Sequence, residues 1–241
     1  MIDRRKPRLT SDDVVLPPEA REALEEVVIE QRKRDHAPGA DVRPRRVLVC
    51  GPRGCGKTSF AEALASELDV GLVVLRLDRL GQIPAISRVA RLEHAFADAG
   101  TARAVMLVEL DQLLRPGAPI GVLDAVVELS LDHRPDSPVV ATATDEALVP
   151  GSIAARFDLL TYVGPPTSSD EVALFLERRL ASVRHDLPLH DRAFLQQFLG
   201  RSYASLERVL LRAIERSMLS GVEPVASEFL AKPETDPGRN R

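Results

Sequence analysis

Apolar positions along the 241-residue chain follow two rhythms. Short runs, apolar almost throughout, occur at residues 46–50 (RVLVC), 72–77, 104–108 (AVMLV), 139–144 and 159–163. Such runs fit strands buried on both faces of a sheet. Between them, at 57–68, 87–99 and 121–131, apolar residues recur at helical spacing. Phe60, Ala61, Leu64, Ala65 and Leu68 share one face of the first of these helices. Gly100 ends the second as a C-cap. Strands alternating with helices predict an α/β fold: a parallel sheet covered on both faces.

The flanks read differently. Residues 1–17 are polar and carry prolines, so they read as an arm outside the core. Residues 18–34 are helical, with Leu24, Val27 and Val28 on one face, and 36–45 form a linker broken by prolines and glycine. After Pro165-Pro166 the strand signals stop. Ser168 with Glu171 makes a capping box opening a helix to about residue 183. A shorter helix spans about 191–199, stopped by Gly200, and a long one about 203–219. The expected organisation is an arm and helix over 1–43, an α/β domain over 44–166, a small all-α unit over 167–222 and a disordered tail over 223–241.

Composition narrows the classes. Net charge is −4, which argues against a strongly basic nucleic-acid binder without excluding a local basic groove. The clusters 4–6, 32–34 and 43–46 read as solvated charge, with nucleic acid or an acidic partner as the alternative. No run of about 18 apolar residues offers a membrane span, and the first residues lack an apolar signal core. The two cysteines give no disulfide framework, so the chain reads as cytoplasmic. The five histidines are scattered without metal spacing.

The strongest motif is Gly51-Pro-Arg-Gly-Cys-Gly-Lys-Thr58, which fits G-x-x-x-x-G-K-[ST] between a strand and a helix. Gly51, Gly54 and Gly56 let the main chain curl around an anion, and Pro52, Arg53 and Cys55 fill the variable places. The helix start, from Lys57 through Thr58 to Ser59, adds its dipole. Lys57 suits the β- and γ-phosphates of ATP, and the Thr58 hydroxyl suits Mg²⁺. Cys55 reads as a small neutral residue.

With that loop in place, the chain resembles the AAA+ ATPases over roughly residues 12–220, and within them a stand-alone bacterial ATPase of the AAA type. Residues 12–17, including Val14 and Val15, resemble the segment that contacts adenine. Glu109-Leu-Asp-Gln-Leu113 resembles the end of D-E-I-D-A-L, Ala143-Thr-Asp145 the sensor-1 segment A-T-N, and Ala155-Arg-Phe-Asp158 the segment supplying an arginine finger. Residues 200–206 resemble G-[FY]-S-G-A-D-L of the helical lid. The resemblance implies a five-stranded parallel sheet of order 5-1-4-3-2 followed by that lid. It also implies a ring or arc of copies with ATP between subunits, where a neighbour's Arg156 completes the site.

The chain departs from this pattern at several places. Aligning ELDQL with E-I-D-A-L puts Val108 where the Mg²⁺-ordering Asp belongs and Glu109 at the catalytic Glu. A strand-first alignment puts Glu109 at the metal position and Leu110 at the base. The first is preferred because Leu110, Asp111 and Leu113 then agree as well; either way one carboxylate is missing. Asp145 stands where sensor 1 often has Asn, and reads equally as a turn cap. Ile153 replaces a second Arg, and Ala204 takes the sensor-2 position. Asp111 reads as a structural cap near the site. The segment 80–86 carries no pore-loop aromatic.

These features lead to an ATP-binding protein with slow hydrolysis that self-assembles and remodels or regulates a protein partner. The alternatives are a non-hydrolysing ATP-gated scaffold or adaptor and a DNA-linked loader. A small-molecule P-loop kinase is least favoured.

Overall fold

The computed structural model describes residues 2–36, 45–76, 85–98, 103–115, 121–132, 138–220 and 225. Two compact units divide the chain, Met1–Gly164 and Pro165–Arg241.

The first unit is built on a six-stranded sheet. Its strands are β1 (Ile2–Arg5), β2 (Arg46–Cys50), β3 (Gly71–Leu75), β4 (Ala104–Glu109), β5 (Val139–Ala143) and β6 (Leu159–Tyr162), in the order β1-β3-β4-β5-β2-β6. From β3 to β6 all pairs are parallel, and these five strands stand in the order expected. The addition is β1, which pairs antiparallel with β3, Ile2 opposite Leu75. Residues 2–5 therefore belong to the sheet and are not a loose arm. Ile2 packs on Val73 and Ala104, and Asp3 sits in an ion pair with Arg5. Main-chain pairing to the β3 edge holds this strand, so its sequence needs only one apolar residue.

Strand alternation sends successive side chains to opposite faces. Val47 and Val49, Leu72 and Val74, Val105 and Leu107 join one core. There they meet Ala20, Leu24, Val27 and Val28 of α1 (Pro18–His36) and Phe60, Ala61 and Leu64 of α2 (Lys57–Glu67). Leu48, Cys50, Met106, Val108 and Ala141 join the other core. That core is completed by Leu92 of α3 (Ala85–Asp98), Val122 and Val126 of α4 (Val122–Asp132) and Ile153 of a short α5 (Gly151–Ala154).

The N-terminal segment also contributes to the interior. A 3-10 turn, Ser11–Asp13, is closed by the Asp13 carboxylate, which accepts from the Thr10 amide and hydroxyl at 2.8 Å each. Beyond it, Val14, Val15 and Leu16 are buried. Ion pairs tie α1 to the rest: Arg45 with Glu30 and Glu26, and Arg103 with Asp35.

The second unit is helical: α6 (Ser169–Leu180), α7 (Arg192–Gln196) and α8 (Tyr203–Ser220). Ser168 Oγ accepts the Glu171 amide at 3.2 Å, while the Glu171 carboxylate takes the Thr167 amide at 2.7 Å. The box therefore closes one residue earlier than its usual reciprocal form. Two helices are shorter than expected, α6 ending at Leu180 and α7 at Gln196. Phe175 and Tyr203 stack with ring centres 5.2 Å apart. Val225, expected in the tail, is buried and exchanges main-chain bonds with Arg184 and Asp186. The expected linker residues 37–44, the residues 77–84, the Gly100 cap and most of the tail lie outside the described residues.

Candidate functional site

The loop after β2 begins with a glycine that has no substitute. Gly51 has φ +144°, and a Cβ built on it would stand 2.0 Å from the Val163 carbonyl oxygen. Its amide donates to the Ala143 oxygen at 3.1 Å, binding the loop to the end of β5. Gly54 and Gly56 also have positive φ, +77° and +106°, which L side chains rarely adopt. At Gly56 the strain is purely conformational, because a Cβ would meet open space.

Pro52, Arg53 and Gly54 form the exposed rim, and Cys55 turns inward at 1% exposure. Among the described residues, the amides of Gly56, Lys57, Thr58 and Ser59 have no carbonyl partner. They are the unsatisfied donors of a helix start, gathered on one concave turn.

Lys57 is 9% exposed, and its ammonium donates to the Gly51 oxygen at 2.5 Å and the Pro52 oxygen at 3.1 Å. Burial holds its pKa below the ordinary lysine value, and the charge of Asp111 acts in the opposite direction. Cys50 is pushed up to about 11, first by burial, and Cys55 is also raised by burial. Both shifts favour the thiol over the reactive thiolate.

Glu109 ends β4 opposite Thr142. By alternation it shares the α2 face of the sheet with Leu107, while Val108 and Leu110 are sealed in the other core at 1% and 0% exposure. Neither neighbour of Glu109 brings a polar group to the site.

Asp111 lies in the 3-10 turn after β4, and its Oδ1 accepts the Thr144 amide at 2.6 Å. It is thus not a cap of its own turn; it reaches across to the end of β5. Asp145 is the N-cap of the turn Glu146–Leu148, accepting the Ala147 amide at 3.0 Å. Nothing in sequence spacing distinguishes Thr144 or Val163 as partners, because both contacts are long-range.

Arg156 follows α5, exposed, with no ion pair among the described residues. Close by, the Arg46 amide donates to the Asp158 carboxylate at 2.8 Å, and the Asp158 amide to the Arg46 oxygen at 2.9 Å. Arg46 opens β2 and the loop follows its other end. Arg156 therefore stands at the end of the sheet away from its own loop, about 13 Å of strand distant. Ile153, in place of a second arginine, is a core residue at 1% exposure. Val14 is buried in the core that α1 and α2 share. Val15 is buried as well.

A glycine-rich loop between an interior strand, β2, and the helix α2 of a mostly parallel α/β sheet defines a P-loop nucleotide-binding fold. Residues 47–165 match the ATPase family associated with various cellular activities (AAA), and the chain carries an AAA ATPase domain. An uncharacterized AAA family ATPase of Sinorhizobium fredii, y4kL, is 26% identical over 250 residues, covering 100% of this chain and 74% of the relative. The ATP-dependent zinc metalloprotease FtsH 4 of Sphaerobacter thermophilus is 30% identical over 225 residues, covering 86% of this chain. The chain spans 34% of that relative's length. The fold matches the crystal structure of the FIGL-1 AAA domain in complex with ADP, with a TM-score of 0.75 at 18% identity, covering 98% of this chain and 89% of that one. No helix among the described residues is long and apolar enough to cross a membrane.

Proposed function

We propose that the chain binds ATP with Mg²⁺ in the loop 51–58, hydrolyses it slowly, and assembles with further copies to remodel or regulate a protein partner. The observation that carries this reading is the set of amides from Gly56 to Ser59, without carbonyl partners among the described residues, around a buried Lys57. Fixed donors and one lysine in a concave turn suit a polyphosphate tail. The FIGL-1 AAA domain, of the same fold, is a complex with ADP.

The Thr58 hydroxyl, half-buried in the first turn of α2, would hold Mg²⁺ together with the nucleotide's phosphates. The ion screens phosphate charge, and water completes a shell it keeps readily. Glu109 would orient and deprotonate the attacking water. Val108 offers only methyl groups beside it, which leaves the metal shell short of a carboxylate and makes turnover slow. Asp145 would lie near the phosphates as sensor 1, already engaged by the Ala147 amide.

Arg156 supports assembly. A cation exposed, without an ion pair among the described residues and remote from its own loop is suited to the phosphates of a neighbouring copy, where it would offset charge on the transferring group. The second reading, a non-hydrolysing ATP-gated scaffold, is favoured by Val108, sealed in the core where the first alignment puts the Mg²⁺-ordering Asp.

Titration with labelled ATP and Mg²⁺ tests the common part. Saturable binding that Lys57→Ala weakens is expected; no binding at millimolar ATP would end both readings. An ATPase assay with the same pair then separates them, since only the first expects turnover above the Lys57→Ala background.

A further inference from the structure

We propose that Asp111 is a positioning residue of the hydrolytic site: through the Thr144 amide it fixes the spacing between the Glu109 end of β4 and the Asp145 end of β5. The inference rests on the ATPase reading above.

Two chain segments converge on adjacent residues at the end of β5 and its exit, Ala143 and Thr144. The Ala143 oxygen receives the Gly51 amide at 3.1 Å, which ties down the loop. The Thr144 amide goes to Asp111, 33 residues away, which ties down the β4 end. Asp145 follows directly and caps the next turn. A carboxylate accepting a main-chain amide at 2.6 Å is a charge-assisted bond, stronger than a neutral one.

Asp111 is not required by its own turn. The Leu113 and Leu114 amides both reach the Leu110 oxygen, at 2.8 and 3.2 Å, and close that turn with main chain alone. The side chain is therefore committed to the neighbouring strand. It also faces Lys57 electrostatically, ahead of any other carboxylate. With Val108 contributing no acid, the chemistry falls to Glu109, whose placement tolerates little error: a displacement of about 1 Å can cost on the order of a hundredfold in rate.

The test compares the full chain with Asp111→Ala and Asp111→Asn, measuring ATP affinity by titration and kcat by phosphate release. In Asp111→Ala, kcat should fall about 10- to 100-fold while Kd stays within about threefold, because the Gly51–Ala143 bond and the bonds of Lys57 to the Gly51 and Pro52 oxygens do not involve Asp111. Asp111→Asn, whose amide oxygen accepts the same N–H, should recover most of the rate. If Asp111→Ala does not fold, Asp111→Glu carries the test: charge kept, the bond displaced, turnover slowed.

Wild-type kcat in the folded Ala or Glu variant overturns the inference. So does an Asn variant as slow as Ala, which would make charge the cause, or a joint loss of Kd, kcat and melting temperature, which marks a merely structural role. A wild type that binds ATP without turning it over defeats the hydrolytic reading and this inference together. A wild type that hydrolyses, with Asp111→Ala unaffected, defeats this inference alone.

Discussion

The carbonyl oxygen of Val163 occupies the place a Cβ on Gly51 would take, 2.0 Å from its ideal position. Neither side can yield cheaply, because the Val163 amide is itself held by the Cys50 oxygen at 2.8 Å. Gly51→Ala should therefore destabilise the first unit by about 2–5 kcal/mol, from backbone strain and overpacking together. A denaturant midpoint equal to wild type would show that this close approach is absent.

Arg156→Ala should leave the melting temperature unchanged, because the side chain is exposed and unpaired among the described residues. ATP affinity of the isolated copy should also be unchanged. Turnover at high protein concentration should fall by up to about 10³-fold, the scale of a lost arginine finger. Sizing chromatography with ATP should show the loss of any nucleotide-dependent assembly. A variant as active as wild type would remove Arg156 from the chemistry.

Acid should weaken the attachment of α1. Glu30 is held below the usual carboxylate range, first by its hydrogen bond from Arg45. A depressed folded-state pKa stabilises above the unfolded value, about 4.3, and that stabilisation is lost as pH falls through the lower folded-state value. Glu30→Gln should flatten this part of the acid limb, by no more than about 1 kcal/mol for a pair that solvent still reaches. Urea midpoints between pH 3 and 6 would register it, and parallel curves for both proteins would exclude it.

Thiol reagents should react slowly with the native chain. With its pKa pushed up to about 11, roughly a thousandth of Cys50 is thiolate at pH 8. Cys55 is as deeply enclosed. Labelling should become fast only in denaturant; two rapid equivalents in native buffer at pH 8 would contradict the burial of both.

The five parallel strands were legible because burial on both faces demands unbroken apolar runs, and Val47 to Cys50 or Val105 to Val108 have few other uses. The loop was legible because φ beyond the reach of L side chains leaves glycine in the sequence. β1 was hidden: Asp3, Arg4 and Arg5 are recruited by the open edge of β3, and main-chain pairing has no compositional signature. From sequence Asp111 reads as a structural cap near the site, and its partner is hidden, because a bond to Thr144 depends on how β4 and β5 lie side by side. Val14 to Leu16 were overlooked as interior residues because three apolar positions after a polar stretch carry no period. Arg156 is visible in sequence only through its motif; its distance from its own loop is a property of the sheet.

The ammonium of Lys57 already serves two carbonyl oxygens, those of Gly51 and Pro52. An ammonium has three N–H donors, so an arriving phosphate meets one that these oxygens do not hold, and every further bond to it replaces a bond to carbonyl oxygen. The heat released on association should accordingly understate what the lysine contributes. The same exchange enters the affinity, so Lys57→Ala reads the net difference at this atom and not the full strength of its phosphate contacts.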